Sequence, residues 1–406
     1  MKIKHLLMKL AVLLISIFIV SAGATAATVP LMMKSFPAIN STTIELLMTL
    51  PSLGIVVFTP LSNFIADKFG EKRTILTGLW IVLISGIIPA MTMNFTLIFI
   101  SRITIGVGTG FIAAFSQSLI LQLFEGEEQQ RMIGLSSVVQ GLGMFILTYF
   151  AGTLMNINWQ ASYLVYLIVL PILLLFWVFI PTKVGVGTSE NDQASANVKS
   201  SKKIDGVVLI LSLFAFLFNS VFAFITIRFA MLVVSRHYGT AADASTLLGI
   251  MAFAMAAGGF IFMYLQKHVK KFSMAVALGF ATAAYFLLSI SNSLLISAVG
   301  VVFIGMAVSI FMASMIALIN VMTSKYQAPF STSIAMTMAN VGTLLSPYVA
   351  QLLSRALGNL TPTFTFLCGT VVFCALFLVA VFAGIKYDNL TYAGRQITTD
   401  AVHEKI

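Results

Sequence analysis

Two arginines interrupt runs that are otherwise almost wholly apolar: Arg102 within 96–123 and Arg228 within 205–235. A cation at the centre of a membrane-spanning helix costs roughly 2.5–3.5 kcal/mol, so it turns toward the protein interior and commonly marks a solute or proton path. Gly106, Gly110 and Ala114 follow Arg102 at four-residue steps and share its helix face. Such a stripe of small residues lets a second helix approach closely, which points Arg102 into the bundle. Two readings of Arg102 stay open on sequence alone: substrate or proton binding, and an internal anchor to neighbouring carbonyls. Arg228 invites pairing with Arg102 as a two-cation anion site. A helix starting near Asp205 reaches its outer end near residue 228, however, so a rim position competes. Asn219 and Arg228 also fall on opposite faces of an unbroken helix. Asn219 and Thr226 share a face and, with Gln140 and Asn340, are the polar groups expected to line a path. Each has helix packing as its alternative.

The 13 acidic residues fall at helix ends, in loops and in tails. Glu45, at the outer start of the second apolar run, and Asp67 come nearest the interior, and none is expected at depth. No G-x-x-x-x-G-K-[ST] run is present to cradle nucleotide phosphates. His5, His237, His268 and His403 lie at ends or in loops, which leaves an intramembrane hydrolase without a base. No cluster of His, Cys and carboxylates suggests a metal. The chain is not expected to be an enzyme, and no cofactor is implied.

The elements that must position these residues follow from composition. The chain has 406 residues, 59% hydrophobic and 9% charged, against about a quarter charged in a soluble domain. Lipid must therefore be part of its solvent. Twelve apolar stretches are long enough to span, since about 20 helical residues cross the hydrocarbon core. They lie near 7–33, 43–65, 74–93, 96–123, 132–155 and 159–181, then 205–235, 244–265, 272–290, 292–322, 329–354 and 362–385. The break at 182–203 is rich in Ser, Asn, Gln and Lys and reads as a linker. The expected domains are an N-terminal six-helix bundle (1–181), that cytoplasmic linker, a C-terminal six-helix bundle (204–385) and a cytoplasmic tail (386–406). Cys368 and Cys374 share the last helix and imply no disulfide.

Placing the N-terminus inside puts most of the 23 basic residues on the cytoplasmic side, as basic loops require. The net charge of +10 is then a topology signal and calls for no nucleic acid. The first segment has the basic start and small residues of a secretory signal. Its removal would leave five helices facing six, so it is expected to be retained.

A shift of about 199 residues superposes Gly106 on Gly305, Ala114 on Ala313, Gly143 on Gly342 and Tyr149 on Tyr348. Lys72 and Arg73 fall within a residue of Lys270 and Lys271. Together these support two related halves, and parallel repeats with a solute site at their interface are one layout of secondary transporters.

One stretch concentrates charge: Asn63-Phe-Ile-Ala-Asp67-Lys-Phe-Gly70-Glu-Lys72-Arg73. It resembles the signature G-x-L-A-D-R-x-G-R-K of the major facilitator superfamily, with Asn63 in place of the first Gly. Arg102-Ile-Thr-Ile-Gly106-Val-Gly108-Thr-Gly110 is similar to that family's second signature. The resemblance covers nearly the whole chain and implies an all-α fold of twelve transmembrane helices in two pseudo-symmetric bundles, with both termini cytoplasmic. It also implies alternating access about a central cavity. Asp67 would then latch the cytoplasmic side by meeting the positive end of helix eleven near Pro329. Gly70 would permit the tight turn, and Lys72 and Arg73 would anchor at the cytoplasmic surface.

The family's antiporter motif is degenerate on helix five at Gly143. Its nearest likeness is on helix eleven at Gly342 and Pro347, and all three are expected to serve helix packing. Cation exporters of this family commonly bury a carboxylate, which this chain does not offer at depth. The expectation is a proton-linked exporter of a small, amphipathic, neutral or anionic organic compound, in a bacterial cytoplasmic membrane. Its expected partners are that solute, a coupling proton and the bilayer, and the expected state is a monomer. Uptake of a small metabolite by symport or facilitated diffusion is the alternative, with a non-transporting solute sensor a further one.

Overall fold

Helix follows helix with connections as short as one residue. The computed structural model describes residues 2–19, 21–181, 206–269, 272–323, 327–356, 358 and 361–403. The expected linker, Lys270, Lys271 and Lys325 lie outside these residues. No strand occurs among the described residues.

The first rod, α1, is a bent pair, Lys4–Ile19 and Ser21–Ser35, meeting at 50°. Then come α2 (Ser41–Phe69), α3 (Glu71–Met91), α4 (Phe95–Leu123), α5 (Gly126–Met155) and α6 (Ala161–Phe179). The second half holds α7 (Gly206–Ser235), α8 (Ala241–His268), α9 (Ser273–Ile290), α10 (Leu294–Met322), α11 (Ala328–Ala356) and α12 (Pro362–His403). Among the described residues, ten helices are long and apolar enough to cross a membrane, or eleven with the bent pair taken as one span. The exception, α11, carries Thr337, Asn340, Thr343 and Ser346 at three-residue steps, which lowers its hydropathy. The helix α12 continues past the expected end at 385 to His403.

Local chemistry sets the ends. Asn40, Asn94 and Ser293 accept from the first-turn N–H groups of α2, α4 and α10. Thr240 and Asp243 form a reciprocal capping box on α8, satisfying donors a helix start leaves open. Gly70 alone separates α2 from α3 with φ of +86°, a conformation only glycine adopts freely.

Packing repeats across the halves, as the sequence shift anticipates. A Cβ added to Gly106 of α4 would lie 2.0 Å from the Pro51 carbonyl oxygen of α2, and one on Gly305 of α10 would lie 2.4 Å from that of Met251 in α8. Likewise Gly143 of α5 abuts Ile17 of α1, and Gly342 of α11 abuts the Phe216 carbonyl of α7. The shift that carries Gly143 to Gly342 carries residue 17 to 216. Both halves thus place glycine at the close contacts between corresponding helices.

Contacts between the halves gather toward the outer end among the described residues. Among the described residues, three hydrogen-bonded pairs join them: Glu45 with Arg228, Thr49 with the Leu344 carbonyl, and Ser245 with the Thr148 carbonyl. Backbone contacts of Gly141 with Ala252 and of Gly152 with Ala242 extend the α5–α8 seam. All lie from the helix midpoints toward the outer end. On the cytoplasmic side of that level, a Cβ at Gly134 or Gly259 would meet nothing within 4 Å.

Candidate functional site

Arg102 is 0% exposed, and its position is explained by two breaks in neighbouring helices. Pro51 has no N–H, so the Leu47 carbonyl four residues earlier lacks its helical donor; Arg102 Nε donates to it at 3.1 Å. At the bend of α1 the Ala22 carbonyl accepts from Arg102 Nη2 at 2.9 Å, and Tyr166 donates to the adjacent Ser21 carbonyl at 3.0 Å. Irregular backbone at membrane depth is tolerated only where protein groups satisfy it. The Tyr163 ring lies 5.6 Å from the guanidinium carbon, within cation–π range. The small-residue stripe of α4 faces α2, since Gly106 meets Pro51 and Gly110 meets Phe58 and Thr59. Of its two readings, the internal anchor is the one Arg102 occupies in this conformation, with only Nη1 lacking a partner among the described residues.

Arg228 is paired with a carboxylate and not with Arg102. Its Nε and Nη2 donate to the two oxygens of Glu45 at 3.1 and 3.4 Å. Its Nη1 donates to Ser354 Oγ at 3.2 Å and to Thr365 Oγ1. Two expectations need correction here. Arg228 is not at an exposed rim, since it is 6% exposed, and Glu45 is buried at 2%. A helix end reads as surface in a sequence, but α7, α11 and α12 together cover this one. Charge balance was the available signal: Glu45 and Asp243 are the acids expected on the outer side that could compensate a buried Arg228. Ser354 and Thr365 carried no signal, because single hydroxyls are common in membrane helices.

Gln140, Asn219 and Asn340 lie close to the midpoints of α5, α7 and α11. Asn219 and Asn340 each donate to the carbonyl one turn back in their own helix, Ala215 and Met336. Neither carboxamide oxygen accepts a hydrogen bond among the described residues. Gln140 is half-buried, and its amide makes no hydrogen bond among the described residues. Thr226 donates to the Ala223 carbonyl of its own helix. These groups bring acceptors, and one free amide, to the mid-membrane level without an ionised partner.

At the cytoplasmic end Asp67 is exposed and makes no hydrogen bond or ion pair among the described residues. Lys72 donates to the Trp177 carbonyl at 2.8 Å and to that of Ile180. It thereby caps the negative end of α6, a role the sequence left hidden behind its topological one. Arg73 is exposed. Glu71 accepts from Gln122 at 2.9 Å, tying α3 to the end of α4. Pro347 lies within α11, beside the buried Ser346 hydroxyl, which has no partner among the described residues.

A sequence profile described as the Major Facilitator Superfamily matches residues 11–232 and 218–393. The hexuronate transporter of Bacillus subtilis (strain 168) is 23% identical over 273 residues, 60% of this chain and 64% of that one. The multidrug efflux pump SdrM of Staphylococcus aureus (strain N315) is 22% identical over 183 residues, 44% of this chain and 40% of its own. The bacillibactin exporter of Bacillus subtilis (strain 168) is 25% identical over 138 residues, 32% and 34% respectively. The match spans less than two thirds of each of these relatives. Among solved structures, a mutant of the nucleoside transporter NupG superposes with a TM-score of 0.74 at 13% identity, covering 92% of this chain and 99% of that one. At that identity the likeness speaks to the fold.

Proposed function

This chain belongs to the Major Facilitator Superfamily, a multi-pass membrane transporter family and not an enzyme family, and on that premise we propose that it moves a small neutral or anionic amphipathic organic solute by alternating access. The observation that carries the sign of the solute is the inventory of buried charge. Among the described residues, the buried charged side chains are Arg102, Arg228 and Glu45. Two cations and one carboxylate leave the interior net positive, and uncompensated charge in a low-dielectric interior repels its own sign. A lipophilic cation finds no unpaired carboxylate among these buried groups, whereas an anion or a neutral acceptor-bearing solute meets a net positive interior whose one carboxylate, Glu45, is already paired with Arg228.

We take the direction to be export, coupled to the proton gradient, from a monomer in the bacterial cytoplasmic membrane. Uptake is the second reading, favoured by the hexuronate transporter, which matches a larger share of this chain than either exporter named above.

The test is a thermal-shift panel on the purified protein, comparing benzoate, benzamide and tetraphenylphosphonium, followed by flux into inverted vesicles. Stabilisation by the anion or the neutral amide, with accumulation that collapses on adding a protonophore, is expected. Stabilisation by the phosphonium alone would overturn the charge argument, and accumulation in right-side-out vesicles alone would reverse the direction.

A further inference from the structure

The ligands of Arg228 are divided unequally between the two halves. Arg228 itself lies on α7, Ser354 on α11 and Thr365 on α12, all in the C-terminal half, and all three are more than nine-tenths buried. Glu45 on α2 is the only member from the N-terminal half. It is also the only anion of the group. When the outer side opens, α2 must part from α7. What then stays behind is a guanidinium held by two hydroxyls, with its Nε and Nη2 edge empty. That edge is the one that pairs with both oxygens of a carboxylate, and a buried arginine stripped of its counter-ion is strongly disfavoured.

We propose that Arg228, Ser354 and Thr365 form a carboxylate-binding site for the transported solute, and that Glu45 occupies it as a built-in stand-in whenever the outer side is closed. The solute class is accordingly a small organic acid. The site lies about 10 Å inside the outer end of α7, seven residues before Ser235 at 1.5 Å per residue, above the level of Gln140, Asn219 and Asn340. A carboxylate arriving from that level displaces Glu45 from Arg228. It thereby releases the contact between α2 and α7, and so favours outward opening through its differential affinity for the open state. In the reverse direction Glu45 returns to the guanidinium as the outer side closes and expels the bound acid inward. The inference rests on the transport reading above and narrows it from neutral or anionic solutes to carboxylates.

Binding of benzoate and of benzamide, its uncharged counterpart, to the purified full chain tests it. The proteins compared are the wild type, Glu45→Gln, and the double variant Glu45→Gln/Arg228→Gln, in which neither member of the ion pair is left without its partner. A tethered competitor acts at a high effective concentration, so its removal should tighten benzoate by about tenfold or more and leave benzamide unchanged. The double variant should lose the preference for benzoate. Unchanged benzoate affinity in Glu45→Gln, or a benzoate preference that survives in the double variant, would overturn the site. Should Glu45→Gln fold poorly, recovery of folded protein by benzoate and not by benzamide supports the site, and no recovery overturns it. Benzoate binding of the expected pattern without any flux in vesicles would count against transport and leave the carboxylate site standing.

Discussion

At the residue scale, the interior charges are placed by backbone need and by pairing. Arg102 bridges the Leu47 and Ala22 carbonyls, which Pro51 and the bend of α1 leave without helical donors. Its guanidinium is therefore part of how two interrupted helices survive in lipid. Hydrogen bonds to a charged donor contribute about 1.5–3 kcal/mol each, so Arg102→Ala should lower the melting temperature of the purified protein by several degrees. Arg102→Lys should recover only part of the loss, because one ammonium lacks the planar fork that reaches both carbonyls. Melting of Arg102→Ala at the wild-type temperature would contradict this role. The sequence marked Arg102 as interior from the cost of its charge. It left two roles open, because the unpaired carbonyl of Leu47 becomes visible only once Pro51 is seen inside a packed rod.

At the element scale, small residues set how closely the rods approach. Gly106 sits where any Cβ would enter the Pro51 carbonyl, whereas Gly134 faces open space. Gly106→Ala should reduce folded yield and melting temperature sharply. Gly134→Ala should change stability little or raise it slightly, by up to about 1 kcal/mol from helix propensity. Size-exclusion profiles and thermal melts of the two variants check the contrast, and equal tolerance at both positions would refute it. Most of the rod order was legible, because apolar runs separated by charged loops need no tertiary information. The pairs Gly106 with Gly305 and Gly143 with Gly342 also foretold the repeated contacts. What was not legible were features set by neighbours. The ends of α2 and α7 read as surface, yet Glu45 and Arg228 are buried there against Ser354 of α11 and Thr365 of α12. Lys72 read as a topology signal, yet it caps α6. The amphipathic character of α11 was hidden because its polar residues are uncharged.

At the scale of the whole molecule, the two halves touch through their outer portions, from the level of Gly141 and Ala252 outward. Asp67, at the far end, is exposed and unpaired among the described residues. Alternating access requires a second arrangement, in which the Glu45–Arg228 contact is absent and the cytoplasmic ends approach. Breaking one buried ion pair by removing one partner costs about 3–5 kcal/mol, enough to shift a two-state balance by roughly two to four orders of magnitude. The measurement that tests this most directly is double electron–electron resonance on the protein in nanodiscs, with Cys368 and Cys374 replaced. One pair of spin labels would sit at Gly134 and Met263, the other at Asn156 and Arg236, recorded with and without Glu45→Gln. The substitution should lengthen the outer pair and shorten the cytoplasmic pair together. Distances that stay fixed at both ends, or that change in the same direction, would contradict alternating access governed by this contact.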